Sequence, residues 1–495
     1  MPGPVRRVVI VGGGAAGWMA ASALAKVFGS LIRIELVESD EIGIVGVGEA
    51  TIPQIKLFNG LLGLDEKDFL RRTQGTIKLG IQFVDWKRRG HSYLHAFGQF
   101  GRNVGGLSFH QYWLKARKSE QAEDLWAYSL NAEAAERGLF GHGADLAYAY
   151  HFDAGLYARF LRDYAEALGV VRTEGKVADV LRRPDTGDIA AIRMERGGEI
   201  AGDLFIDCTG FRGLLIEQTL ETGYDDWSEW LPCDRAMAVP SQNVGSPHPY
   251  TRSTARDAGW QWRIPLQHRT GNGYVYCSRF ISDDEAVSTL KTHVEGELLA
   301  EPRPLRFVTG VRRKLWNRNC VALGLASGFM EPLESTSIHL IQADVDKLIR
   351  FFPTEGIQAA DVAEFNRQSR AEFEAVRDFL VLHYAQVERD DTPFWRHCRT
   401  EIRRPDSLLE KQALFAANGR IRQDEFDLFT ESSWLQVLYG QGLSPAGYDR
   451  LADRLSDSQL AQLMGDTRRM VKGAADAMTT HKSFLAALAP SEVST

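Results

Sequence analysis

The sequence predicts an α/β protein with a parallel-sheet core, an inserted mixed-sheet region and a helical C-terminal part. Three observations predict it. Val8 to Val11 is a short apolar, β-branched run, which reads as a buried strand. Gly12-Gly13-Gly14 break it, Ala15 to Phe28 carries apolar residues at helical spacing, and Ile32 to Val37 reads as a second strand ending at Glu38. Two further apolar runs, Asp203 to Asp207 and Cys320 to Leu325, read as buried strands far along the chain, so the core is discontinuous. Residues 340–485 are almost wholly helical in pattern, with loops near Pro353, Pro393, Pro405 and Pro445.

The segments between follow in order. Residues 39–60 form a Gly-rich connection, and residues 61–150 mix helix with aromatic-rich loop. Ala154 to Leu168 is an amphipathic helix, and residues 170–207 alternate as a meander. Residues 227–310 are punctuated by Trp and Pro, with a strand signal at Gly273 to Phe280. After Cys320 to Leu325 come Gly328, Pro332 and a helix from about Ser337. The expected organisation is a discontinuous domain over 1–340, with substrate-facing insertions at about 60–150 and 227–310, and a helical capping region over 341–495.

Bulk composition narrows the function classes. Of 495 residues, 44% are hydrophobic and 25% charged, a soluble globular balance, and the net charge of −7 gives no pull toward nucleic acid or anionic membrane. Cys208, Cys233, Cys277, Cys320 and Cys398 are odd in number, dispersed and without a CxxC pair, which argues against a disulfide framework and a metal site. A reduced, cytoplasmic setting is expected. The N-terminal apolar run is too short for a signal peptide, and no stretch reaches spanning length.

Gly12-x-Gly14-x-x-Gly17 between strand and helix carries the first chemistry. The first glycine permits a tight turn, the second lets backbone approach a pyrophosphate, and the third lets helix and strand pack closely. Ala15 and Ala16 then sit at a helix N-terminus, where unpaired amides favour anions. Glu38 stands where an acid bonds a ribose hydroxyl. The fold is thus a Rossmann-type dinucleotide-binding domain. Strand ends at Asp203 to Gly210 and Val321 to Leu325 add contacts that suit FAD, in a flavin-monooxygenase-like arrangement. No second GxGxxG is visible, so reduced flavin is expected from a separate reductase.

The chain resembles the flavin-dependent halogenases of the tryptophan-halogenase type over nearly its whole length. Gly259-Trp260-Gln261-Trp262-Arg263-Ile264-Pro265 fits the family's GWxWxIP signature. The resemblance implies that Trp260, Trp262, Ile264 and Pro265 separate flavin from substrate. By composition alone, two tryptophans at i and i+2 would be a buried aromatic pair. Lys78, in Thr76-Ile77-Lys78-Leu79-Gly80, matches the family's essential lysine, which holds hypohalous acid; a lone lysine is otherwise a snorkelling surface residue. Glu334, in Glu331-Pro332-Leu333-Glu334-Ser335-Thr336-Ser337, matches an assisting glutamate; the plain alternative is a first-turn helix acid. The amides of Thr336 and Ser337 are implied to bind halide, with Ser337 standing where tryptophan halogenases usually carry glycine.

His95 and Phe97 match substrate-pocket positions, and Trp434 is either a stacking residue or core. Gly46-x-Gly48-Glu49-Ala50 resembles a flavin-contacting strap, placing Gly48 and Ala50 beside FAD; Val177, Leu325 and Ile338 complete the implied cofactor set. The set that clamps the amino-acid part of free tryptophan is not evident. The implied function is halogenation of an electron-rich aromatic, such as an indole, using FADH2, O2 and chloride or bromide. An aromatic monooxygenase and a non-catalytic flavin-binding protein stay open as alternatives, as does a homodimer.

Overall fold

The computed structural model describes residues 3–42, 48–142 and 146–488. They group into two units. Unit 1 gathers Met1–Gly75, Phe152–Ser228 and Arg306–Glu374; unit 2 gathers Thr76–His151, Glu229–Leu305 and Ala375–Thr495.

Unit 1 is built on a six-stranded sheet in the order Trp316–Asn317, Cys320–Ala322, Leu204–Asp207, Arg7–Val11, Arg33–Glu38, Val171–Glu174. The four pairings from Cys320–Ala322 to Val171–Glu174 are parallel, so both faces must be covered. Helix Ala15–Phe28 is buried continuously from Gly17 to Ala25. Its alanines let neighbours come close: Ser22 Oγ donates to Leu161 O of helix Ala154–Ala167 at 3.2 Å. On the other side Val9, Val37, Phe205 and Ala322 pack with Ile189 and Ile192 of the antiparallel meander Val177–Arg182, Ile189–Met194, Glu199–Ala201.

The strand from Cys320 ends earlier than expected, at Ala322. Gly324 adopts φ +64 and turns the chain into the single 3-10 turn Gly324–Ala326. Asp207 also shapes the turn that follows its strand. Its Oδ2 accepts from the amides of Leu215 and Ile216, at 2.7 and 2.8 Å, and so caps the following helical turn.

In unit 2 lie six strands of a seven-stranded mixed sheet, in the order Arg235–Ser241, Thr270–Tyr276, Gly259–Pro265, Thr251–Arg256, Gly80–Val84, Ser92–Ala96. Its neighbours are antiparallel except Thr251–Arg256 with Gly80–Val84. The strand expected at Gly273 to Phe280 runs instead from Thr270 to Tyr276, because Ser278 turns to donate its amide to Asp234 at 2.8 Å. Helices supply much of the rest. Pro393 opens helix Pro393–Thr400 instead of lying in a loop, since a missing N–H costs nothing at a first helical position, and Thr392 caps Trp395 N. The C-terminal stretch is not all helix: Thr479–Thr480 pairs with Leu139–Phe140. Among the described residues, no helix is long and apolar enough to cross a membrane.

Candidate active-site elements

The glycine turn of unit 1 has the geometry its residues require. Gly12 adopts φ +112, and a Cβ there would lie 2.2 Å from Cys208 O. A Cβ on Gly17 would lie 1.9 Å from Gly12 O, so this glycine lets the helix seat on the turn. Gly14 is different: a Cβ would meet nothing within 4 Å. Its outer side is open, as a backbone that cradles a phosphate must be. Helix Ala15–Phe28 has no side-chain cap and no acid in its first turn, so nothing competes with an anion for its amides. Gly12, Gly14, Ala15 and Ala16 are half-buried, and these features fit a dinucleotide.

Glu38 lies against the same turn, since a Cβ on Gly13 would collide with its carboxylate. Arg172 orients it: Arg172 Nε donates to Glu38 Oε1 at 2.6 Å and Nη2 to Asp40 at 2.7 Å. Gly175 N donates to Glu38 O at 2.8 Å, which brings the start of strand Val177–Arg182, and Val177 with it, toward this end of the sheet. On the opposite side, a Cβ on Gly324 would meet Ala16 Cβ at 2.8 Å and Ile341 Cδ1 at 3.6 Å. The turn carrying Leu325 therefore lies between the helix start at Ala15 and helix Ser337–Arg350, where Ile338 is buried. Gly48 and Ala50 form the short strand Gly48–Ala50; Glu49 between them is raised to about 7 by loss of solvent. Gly46 lies outside the described residues.

Glu334 closes the turn Pro332–Glu334 and is 1% exposed. Ser335, at φ +61, separates it from helix Ser337–Arg350. Glu334 is thus not a first-turn acid of that helix. Thr336 is the helix N-cap residue, yet among the described residues its buried hydroxyl has no partner and caps nothing. The amides of Thr336 and Ser337 have no backbone acceptor among the described residues. An uncapped helix start of this kind suits a small anion.

In unit 2, Lys78 ends strand Thr76–Lys78 and is fully buried, which removes the surface alternative. Its Nζ lies 5.2 Å from the centroid of the Phe97 ring. Aromatic and ammonium attract each other most where water is absent. Phe97 N donates to Leu79 O at 2.8 Å, so the ring is positioned by the residue next to the lysine. The strand is also tied to the tryptophan segment: Thr76 Oγ1 donates to Pro265 O at 2.7 Å.

That segment, Gly259–Pro265, is an inner strand of its sheet, with Trp260 and Trp262 on one side and their rings 6.1 Å apart. Trp262 fits because its partner across the ladder is Gly273, where a Cβ would lie 2.0 Å from the indole ring. Trp260 joins Trp86, which meets Tyr384 and Trp395 edge to face. Ile264 is buried on the opposite side of the strand from Arg263.

The comparisons bear on these elements directly. The tryptophan halogenase family model matches residues 7–457. The chain belongs to this family. A flavin-dependent halogenase from Xanthomonas campestris superposes with a TM-score of 0.96 at 48% identity, over 98% of each chain. BrvH, a flavin-dependent halogenase from Brevundimonas sp. BAL3, gives 0.94 at 45% identity, over 98% of this chain and 99% of its own. The tryptophan 6-halogenase SttH of Streptomyces toxytricini is 35% identical over 97% of this chain and 98% of its own. The protein is an enzyme, a flavin-dependent halogenase.

The halogenase's remaining candidate residues gather in unit 2. His95 lies on strand Ser92–Ala96, its ring 5.7 Å from Phe379 and 6.3 Å from Phe429. Phe379 stacks on Phe429 at 3.8 Å and meets Trp434 edge-on at 4.9 Å. Trp434 is buried, with Lys411 Nζ 4.7 Å from its ring centroid, so one face is already covered; among the described residues its Nε1 has no partner. Lys78 and the residues around it belong to unit 2, whereas Glu334, Thr336, Ser337 and the nucleotide set belong to unit 1.

Several residues that shape these elements escaped the sequence. Gln436 Oε1 accepts from Ala96 N at 2.8 Å and its Nε2 donates to Ala96 O at 2.9 Å, fixing the backbone between His95 and Phe97. Arg172 orients Glu38, and Phe379 with Phe429 forms an aromatic wall. No motif marks them. Glutamine or arginine in apolar surroundings is the one signal the sequence offers, since such groups are buried only when partnered.

Proposed function

We propose that this halogenase chlorinates or brominates an electron-rich aromatic ring of the indole class, with FAD as its flavin and Lys78 as the residue that handles the halogenating species. The buried Lys78, set on the face of Phe97 and anchored through Thr76 to the end of the tryptophan strand, carries the proposal. Indoles are supported by the relatives: SttH is a tryptophan 6-halogenase and RebH of Lentzea aerocolonigenes a tryptophan 7-halogenase. The cradle at Gly12–Gly17, with Glu38 for a ribose and the open side of Gly14 for phosphate, suits FAD.

When bound in its reduced form, the flavin supplies with O2 and halide the oxidising power held in hypohalous acid. The protein then does the directing. Lys78 donates an N–H to the oxygen of the acid, so that oxygen leaves as water while the halogen bonds to ring carbon. The ring proton is lost in exchange, and the Glu334 carboxylate supports its removal. The uncapped amides of Thr336 and Ser337 suit the halide. The layer of Trp260 and Trp262 excludes water from a reagent that would otherwise react indiscriminately. A separate reductase supplies the reduced flavin.

The test is purified protein with a flavin reductase, NADH, chloride or bromide, and a panel of indoles and phenols, read by mass spectrometry. Halogen-dependent mass gain on at least one indole is expected. Oxygenated product in halide-free buffer would instead establish a monooxygenase. Flavin binding with no turnover of any aromatic would establish a non-catalytic protein.

A further inference from the structure

Strand Thr76–Lys78 pairs antiparallel with Ala149–His151 through Thr76↔His151, Ile77↔Tyr150 and Lys78↔Ala149. In such a pair, alternate residues turn their N–H and C=O away from the partner strand. Ile77 is one of these, and it is fully buried, so its N–H must find an acceptor elsewhere. The acceptor comes from the far end of the chain. Ile77 N donates to His481 Nε2 at 3.1 Å, across 404 residues of sequence.

His481 is committed on both nitrogens. Its Nδ1 lies 2.9 Å from Pro247 O, and a carbonyl only accepts, so Nδ1 carries a proton. Nε2 accepts an amide and carries none. The imidazole is therefore neutral, in one tautomer, and joins Pro247 to Ile77. Burial supports the neutral form, bringing His481 down to about 4, with His248 adding to the fall and the Pro247 bond opposing it. The residue is well held: it begins helix His481–Ala486, its own amide donates to Gly138 O at 2.8 Å, and Thr479–Thr480 pairs with Leu139–Phe140.

A second histidine steadies the other side. Thr76 Oγ1 gives its proton to Pro265 O, so it must accept from His151 Nδ1, at 3.0 Å. His151 Nε2 then lies 2.9 Å from Thr251 Oγ1. Burial first, and the charge of Lys78 after it, hold His151 well below the ordinary histidine range. The lysine strand thus lies between two imidazoles, and only one of them contacts its backbone.

We propose that His481 is a positioning residue for the halogenation step: by accepting the Ile77 amide, it sets the three-residue strand that places Lys78 over Phe97. The inference rests on Lys78 being the residue that handles the halogenating species. It gives the C-terminal helix a part in directing the halogen, although no atom of His481 need touch substrate.

The test compares full-length His481→Leu, His481→Gln, Lys78→Ala and the parent, each with FAD, reductase, halide and an indole that the parent halogenates. A β-diketone scavenger traps oxidant that escapes, and both products are counted per FADH2 oxidised. His481→Leu is expected to oxidise FADH2 normally, to lose halogenated indole by about ten- to a hundredfold, and to release more trapped oxidant. His481→Gln offers both an N–H and a carbonyl and is expected to restore most of the parental ratio. A His481→Leu protein with the parental ratio overturns the inference, and so does one whose product and trapped oxidant fall together with FADH2 oxidation. If that variant does not fold, His481→Asn replaces it, with a ratio below the parent's expected and an unchanged ratio fatal. A Lys78→Ala protein that halogenates normally overturns the reading of Lys78 itself, whatever His481 does.

Discussion

Replacing Gly273 with alanine forces a choice between the tryptophan strand and its neighbour. The new Cβ would lie 2.0 Å from two atoms of the Trp262 ring and 2.6 Å from Met237 O. Carbon atoms rest at about 3.5–4.0 Å, so the ring must retreat by roughly 1.5 Å in a sheet where it is already buried. Overpacking of this kind costs about 1–3 kcal/mol, and the backbone clash with Met237 places Gly273→Ala near the upper end. Trp262→Leu alone leaves a cavity and costs a similar amount, about 2–4 kcal/mol. Together they relieve each other, because leucine vacates the space that the alanine enters. A coupling of about 1–2 kcal/mol in favour of the double variant is expected. Urea unfolding of the four proteins, followed by tryptophan fluorescence, measures it. Additivity within about 0.5 kcal/mol would refute the claim that the Trp262 ring occupies the space left by Gly273.

Three other outcomes follow from the same geometry. Gly12→Ala must place a side chain at φ +112 and 2.2 Å from Cys208 O, so FAD affinity should fall by more than about tenfold; fluorescence titration that gives the parental Kd would falsify this. Arg172→Met removes the guanidinium that orients Glu38, and FAD affinity should weaken by about tenfold, the order of a charged hydrogen bond; isothermal titration with an unchanged Kd counts against it. His481, lowered from 6.5 to about 4, stays neutral in the fold while the unfolded chain takes up a proton. Its contribution is therefore present above pH 6.5 and is lost as pH falls toward 4, by about 1.4 kcal/mol per unit. Between pH 7 and 5 the parent should lose about 2 kcal/mol more than His481→Gln; parallel unfolding curves would contradict it.

The nucleotide turn was legible because all its parts are contiguous. Strand, glycines, helix and the acid at Glu38 fall within 32 residues of one another, and their order alone dictates the geometry. Lys78 was legible only by resemblance. Ile77 and Leu79 alternate with Lys78 and Gln82, a pattern that describes a strand with one face in water, yet Ile77, Lys78 and Leu79 are all fully buried. The second face is covered by Phe97 and the strand edge by His481, and nothing local announces either. The same holds for Gln436, whose partner is backbone 340 residues away. Sequence pattern records which residues avoid water; it does not record which distant backbone group a polar side chain serves. Element ends fail for a related reason. The strand at Cys320 stops where Gly324 bends the chain, and Pro393 begins a helix because no N–H is needed there.

Lys78→Ala tests the delivery of halogen most directly. The variant and the parent are each supplied with FAD, a flavin reductase, NADH, bromide and an indole, and FADH2 oxidation is followed alongside brominated product. The variant should bind FAD and oxidise FADH2 as the parent does, while brominated indole falls to background. Bromination at the parental rate in Lys78→Ala would contradict the role given to the buried lysine.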